Sequence, residues 1–254
     1  MLNLSKNKIK LIKSLAGKKN RIAEGLFLAE GNKLVKEIIS SGYLIETLVI
    51  TREFADELTS PAPAEVIVVS RDELNRASLL KNPQQALAVV RIPQQYHKTI
   101  IHNNLVLCLD DIQDPGNLGT IVRLADWFGI SQIVCSENTV DIYNPKAIQA
   151  TMGSIVRVSV SYSGLNQFFR DAMSMGIKIY GAATEGTNIY KALLPSEAVV
   201  VLGNEGKGIH PEFTQYFHQK LSIPNLSASH SRTESLNVSM ATAIICSEFR
   251  RRFQ

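Results

Sequence analysis

Cysteine is scarce in this 254-residue chain, and histidine never falls at a spacing that builds a metal site. Cys108, Cys135 and Cys246 are far apart, odd in number and never arranged as Cys-x-x-Cys. That excludes a disulfide framework and predicts three reduced core thiols. His97, His102, His210, His218 and His230 are scattered, so no metal is expected. No apolar run is long enough to cross a bilayer, and the start lacks a secretory signal pattern, so a soluble, cytoplasmic protein is expected. Internal repeats and low-complexity tracts are missing too.

Acid is missing from the beginning of the chain. Lys6, Lys8, Lys10, Lys13, Lys18, Lys19 and Arg21 all precede the first carboxylate, Glu24, although the net charge of the whole is only +4. A field of that sign attracts phosphate backbones. Ile9, Ile12 and Leu15 also form an apolar stripe beneath the lysines, so a solvated helix face explains them equally well. A basic, acid-free amphipathic start is, third, a pattern of organelle transit segments.

With 45% hydrophobic residues the chain can bury one large core or two ordinary ones, and its patterning argues for two. The first part reads as a small α/β unit. It has a helix over 32–40, strands over 47–51 and 65–70 around a turn at Pro61 and Pro63, a short helix near Asp72 and a closing strand over 86–92. Pro93 and the polar residues after it mark a linker over 93–103, which sets domains of 1–92 and 104–254. Beyond it, strands over 105–109, 132–135, 156–160, 178–182, 198–202 and 220–223 alternate with helices over 116–128, 145–151, 165–175 and 236–252. Such alternation predicts an α/β domain whose mostly parallel sheet is flanked by helices.

Three segments place glycine or small polar residues where an apolar run ends, which is where α/β proteins bind ligands. The first is Asp114-Pro-Gly-Asn-Leu-Gly-Thr-Ile-Val-Arg123, with Asp114 as a helix cap and Pro115 at the first helical position. Helix-start amides there favour an anion near Asn117, Gly119 and Arg123. The second is Leu202-Gly-Asn-Glu-Gly-Lys-Gly208, which lacks the Gly-Lys-Ser/Thr ending of a phosphate loop and does not match a dinucleotide fingerprint. The third is Ile223-Pro224 followed by Ser235-Leu-Asn-Val-Ser239. Taken singly they read as a capped helix, a tight turn and a core or interface helix.

Together they resemble the SpoU (TrmH) family of RNA ribose methyltransferases in the SPOUT superfamily. Asn117, Gly119 and Arg123 match its Asn-x-Gly-x-x-x-Arg motif, Leu202 to Gly206 its Leu-Gly-x-Glu-Gly turn, and Ile223-Pro224 with Ser235–Ser239 its third motif. Arg21, Phe27, Glu30, Gly31, Leu34, Val35 and Glu37 match the opening of its substrate-binding domain. The segment from Asn225 to Glu234 is several residues longer than is usual in the family.

The resemblance implies a C-terminal domain with a deep trefoil knot and a small N-terminal ribosomal-protein-like α/β domain. It implies transfer of a methyl group from S-adenosylmethionine to a ribose 2′-hydroxyl, in 23S ribosomal RNA first and transfer RNA second. Gly203, Asn204, Gly208, Ile223 and Leu236 would hold the methyl donor. Arg123, Asn117, Glu205, Ser235 and Asn237 would form the catalytic group. Guanidinium is a poor proton acceptor, so Arg123 is expected to stabilise developing alkoxide and hold the adjoining phosphate, with Asn117 orienting it or the ribose and Glu205 fixing the guanidinium. Lys6, Lys8, Lys10, Lys18, Lys19 and Arg21 would contact RNA; for His230 and Arg232 in the longer loop RNA contact is one reading, and a plain surface loop is the better one. A homodimer through the helix from Leu236 is also implied. A knotted RNA-binding protein that transfers methyl groups weakly or not at all is the alternative.

Overall fold

The computed structural model describes residues 4–58, 65–93, 104–227 and 235–251. His230, Arg232, Pro61, Pro63 and almost all of the 93–103 linker lie outside them. In chain order the first stretch holds α1 (Lys6–Ser14), α2 (Lys18–Glu24), β1 (Leu26–Glu30), α3 (Asn32–Ser40), β2 (Ile45–Thr51), α4 (Arg52–Asp56), β3 (Glu65–Val69), α5 (Arg71–Ala77) and β4 (Ala86–Arg91). There follow β5 (Leu105–Asp110), α6 (Pro115–Trp127), β6 (Gln132–Cys135), α7 (Pro145–Thr151), β7 (Ser159–Tyr162), α8 (Leu165–Ser174), β8 (Ile179–Asn188), β9 (Ala198–Gly203), β10 (Gln219–Ser222) and α9 (Val238–Arg250). The chain forms two compact units, Met1–Gln94 with Asp141–Val156, and Gln95–Val140 with Arg157–Gln254.

The first unit is built on a four-stranded sheet ordered β1-β4-β2-β3, antiparallel except for the β2–β3 pair. Strand β1, unforeseen in the sequence, is buried at all five positions and so shows no alternation. Ser5 caps α1 by accepting from the Lys8 amide at 3.2 Å. Ile12 and Leu15 of the basic start are then packed with Leu28, Val49, Ile67 and Leu87, which leaves Lys6, Lys10, Lys18 and Lys19 outside. The later segment joins this unit through side chains. The Tyr143 ring lies 4.9 Å from that of Phe27, and the Tyr43 hydroxyl donates to the Ile155 carbonyl at 3.2 Å.

Arg21 does not belong to the basic surface on which the sequence placed it. It is 1% exposed. Its Nε and Nη2 donate to the Asp141 carboxylate at 3.0 and 2.7 Å, and its Nη1 to the carbonyls of Leu15 and Ala16 at 2.8 and 2.9 Å. A buried guanidinium persists only when its charge and donors are matched in this way, so Arg21 is structural and unavailable to RNA. Lys8 is partly withdrawn too, through an ion pair with Glu65.

The second unit holds a six-stranded sheet ordered β10-β8-β9-β5-β6-β7, every pair parallel. On one face Phe168, Phe169 and Ala172 of α8 close over Val106, Cys108, Val199 and Val201. Burying one phenylalanine there stabilises by roughly 1.5–3 kcal/mol. Helices α6 and α9 pack against each other and on β6 and β9. The strand expected at 156–160 begins later, at Ser159, because Ser154–Val156 closes a 3-10 turn first. Strand β8 outruns its expected end because Ala182–Gly186 bulges out before pairing with β10 resumes at Thr187.

Strand order matters for the site. After β5 the chain moves outward through β6 and β7, then crosses to β8 and returns to place β9 directly beside β5. The order therefore reverses between β5 and β9, and the carboxyl ends of strands at such a reversal are where open α/β sheets bind ligands. Those ends are in register, Asp110 opposite Gly203, so the first two sequence motifs leave the sheet side by side.

Candidate active site

Turn geometry brings the three motifs together. Asp111 leaves β5 with a left-handed backbone (φ 58°), and Asp114 caps α6 by accepting the Asn117 amide at 2.7 Å, with Pro115 at the first helical position. Asn117 thus sits in the first turn of α6, facing the loop that follows β9. Its Nδ2 donates to Glu205 Oε1 at 2.7 Å. From the third motif, Asn237 Nδ2 donates to Asn117 Oδ1 at 3.0 Å, and Ser239 Oγ reaches the Asn117 carbonyl and Oδ1, both at 3.2 Å. Asn237 also caps α9, accepting from the Ser239 amide at 3.0 Å. One asparagine side chain therefore ties together segments 88 and 120 positions away.

The glycine turn has a single closed shape. Asn204 and Gly208 exchange both backbone hydrogen bonds, at 3.0 and 2.9 Å, and Asn204 Oδ1 accepts the amides of Gly206 and Lys207. Its Nδ2 donates to the Asp111 carbonyl at 2.9 Å, which anchors the turn to the strand beside it. Asn204 was expected to touch the methyl donor. Its amide, carbonyl and side chain are instead committed to the turn, so its part is to shape the loop. At Gly203 the returning backbone leaves no room for a side chain, since a Cβ would lie 2.5 Å from the Gly208 carbonyl oxygen and nearer still to Ile209 N. Gly208 itself needs the left-handed region (φ 72°).

Arg123 stands apart from this network. It is the ninth residue of α6, about 9 Å along the helix axis from Asn117. It is exposed, and no described residue holds its guanidinium. Of the two expected roles of Asn117, orienting Arg123 or the ribose, the first is not met within this chain, and Glu205 bonds Asn117 rather than the guanidinium. Ser235 and Leu236 are exposed and Ile223 half-buried just ahead of α9 and after β10. Sequence reasoning gave no separate role to Ser239, although it lies inside the third motif.

A second polar pair was also missed. Asp110, buried at the end of β5, accepts from the His210 amide at 2.8 Å and contacts His210 Nδ1 at 2.9 Å. The hydrogen bond that the imidazole donates to Asp110, followed by the carboxylate's charge, holds the His210 pKa above its usual value. No local pattern announces this pair, because its members are 100 positions apart. Burial alone pushes the Cys135 thiol up, and Cys108 and Cys246 are raised chiefly by the same cause, so all three are inert core groups. Among the described residues no cluster of three His, Cys, Asp or Glu could hold a metal, and no helix is long and apolar enough to cross a membrane.

The fold and this site define an α/β protein whose three motif segments meet beyond the carboxyl ends of β5 and β9, where the strand order of a parallel sheet reverses. The chain belongs to the SpoU rRNA Methylase family, whose pattern matches residues 104–247, and an MRM3-like substrate binding domain matches residues 6–88. It is 31% identical, over 94% of both chains, to the 23S rRNA (guanosine(2553)-2′-O)-methyltransferase RlmP of Bacillus subtilis (strain 168). A solved structure from Porphyromonas gingivalis, assigned to the TrmH family of RNA methyltransferases, aligns with TM-score 0.91 at 39% identity, covering 99% of this chain and all of the other. The S-adenosylmethionine-bound rRNA methyltransferase of Sinorhizobium meliloti aligns with TM-score 0.85 at 28% identity, covering 100% and 98%.

Proposed function

We propose that this protein transfers a methyl group from S-adenosylmethionine to a ribose 2′-hydroxyl of 23S ribosomal RNA in the cytoplasm. The observation that carries the reading is the convergence of all three family motifs on Asn117. The Bacillus subtilis relative is named for a guanosine of 23S ribosomal RNA, which favours ribosomal over transfer RNA. The substrate-binding part is the N-terminal domain, residues 1–92, with Lys6, Lys10, Lys18 and Lys19 against the RNA backbone.

The site fits the donor. Gly203 lies so close to the returning Gly208–Ile209 backbone that only glycine fits, and the backbone of this compact turn, with Ile223 and Leu236, would hold the donor. The donor supplies a methyl group already made electrophilic by its sulfonium, so the protein's share is alignment and help with the hydroxyl proton. Asn117, locked by Glu205, Asn237 and Ser239, positions the ribose. Arg123 stabilises the developing alkoxide and holds the neighbouring phosphate.

Because Arg123 is outside the Asn117 network of its own chain, we assign it to the site of a second copy. Arg123 and Trp127 lie one turn apart on α6, and Trp127 is 84% exposed, as is 61% of Met240 on the packed neighbour α9. A dimer formed through this α6–α9 face would cover both and carry Arg123 to its partner. The C-terminal segment is then the one threaded as a trefoil knot, a reading supported by the bonds from Asn237 and Ser239 back to Asn117.

Incubation with labelled S-adenosylmethionine and unmodified 23S ribosomal RNA, followed by mapping of ribose methylation, tests the function. One dominant 2′-O-methyl site is expected, and Arg123→Ala should abolish transfer while calorimetric donor affinity stays near wild type. Full donor binding without any RNA methylation would instead favour the RNA-binding alternative.

A further inference from the structure

The first unit contains a cavity of about 350 Å³ that none of the three motifs lines. That is within the range of small-molecule sites, about 300–1,000 Å³. Its walls include Leu28, Leu80 and Pro145, and polar groups enter at Glu30, Lys146 and Gln149. Glu30 closes β1 and is 5% exposed. Its Oε2 accepts from the Ser78 hydroxyl and its Oε1 from the Leu79 amide at 3.1 Å, so the carboxylate is fixed in place with one lone pair of each oxygen uncommitted by these bonds. Burial raises its pKa, and the two hydrogen bonds partly offset that. Lys146 and Gln149, which line the same cavity, are three positions apart on α7.

We infer that this cavity is a base-binding site that takes one unpaired guanine of the substrate RNA. The inference rests on the proposed function for the source of its ligand. Sequence-specific RNA recognition works by splaying single-stranded bases into apolar slots and bonding their edges. A carboxylate with two oxygens in line accepts two adjacent donors, and guanine offers its ring N1–H beside its exocyclic amine. The next group on the same edge is the O6 acceptor, which suits the ammonium of Lys146 or the amide of Gln149. Adenine and cytosine offer one exocyclic amine next to a ring acceptor, which would repel Glu30, and uracil lacks the amine. Leu28, Leu80 and Pro145 supply the apolar faces that a flat ring needs.

Fluorescence anisotropy with the full-length protein and labelled single-stranded UUGUU, UUAUU, UUCUU and UUUUU tests the assignment. The guanine pentamer should bind about tenfold more tightly than the others, the effect of one modest bidentate base contact. Glu30→Gln and, separately, Leu80→Trp should each reduce it to the level of the others, with donor binding unchanged in calorimetry. Leu80→Trp fills the slot yet leaves the Glu30 carboxylate and its bonds intact, so it separates recognition from any loss of folding in Glu30→Gln. Equal affinity of the wild type for all four pentamers, or a guanine preference that survives Leu80→Trp, overturns the assignment. Guanine preference without methyl transfer to ribosomal RNA would remove the proposed function and leave the base site standing.

Discussion

Replacing Gly203 by alanine tests the proposal that the glycine turn holds the methyl donor. The added Cβ would lie 2.5 Å from the Gly208 carbonyl oxygen and nearer to the Ile209 amide, and both obstacles are backbone. No side-chain rotation relieves them, so the loop must open. Opening gives up the two hydrogen bonds between Asn204 and Gly208, each worth about 1 kcal/mol net, and adds overpacking strain of about 1–3 kcal/mol. If half or more of that sum of about 3–5 kcal/mol falls on the ligand-ready shape, donor binding weakens by about 1.5–5 kcal/mol, roughly ten- to several-thousand-fold. Gly206→Ala is the internal control, because its Cβ would meet only Asn204 Oδ1, at 3.7 Å. Calorimetric titration of both variants with S-adenosylmethionine provides the measurement. Gly206→Ala should bind as the wild type does, and donor affinity of Gly203→Ala within about threefold of wild type would refute the assignment of this backbone to the donor.

Arg21→Met leaves the partly exposed Asp141 carboxylate without its guanidinium and should destabilise by about 1–3 kcal/mol, read as a fall in the urea midpoint. An unchanged midpoint would mean that the pair is not formed in solution. For His210 the sign runs with proton binding, since its folded pKa is raised by Asp110. Its contribution to stability is complete below about pH 6.5, where the unfolded imidazole is also protonated, and is lost as pH rises through the folded value. The stability difference between wild type and His210→Gln should therefore shrink over that window, and a flat difference would remove Asp110 as the cause. Met240→Glu puts a charge into the proposed dimer face and should halve the mass seen by light scattering at micromolar concentration, whereas a wild type already monomeric would exclude that face as an interface.

Much of this was legible because local chemistry decided it. Asp114 and Pro115 marked the start of α6 correctly, and the apolar run at 198–202 became β9. The family resemblance named Asn117, Glu205 and Asn237, and these meet in space. Illegible features have partners far away in sequence. Arg21 looked like one more cation in a basic run because Asp141, which buries it, is 120 positions on. Asn204 looked like a ligand donor because nothing local shows that it spends its amide on Asp111. Strand β1 escaped because a fully buried strand carries no alternation.

The position of β9 has a consequence for biosynthesis. Strands β5, β6 and β7 leave the ribosome early, but the strand that completes β5 on its other side is not made until residue 203, and Asn117 must wait for Ser239 to find its last partner. Domains emerging in sequence fold as units, yet here the half-made domain lacks the inner wall of its own pocket. If the donor binds where proposed, a nascent or prematurely terminated chain neither captures it nor competes with finished protein for it.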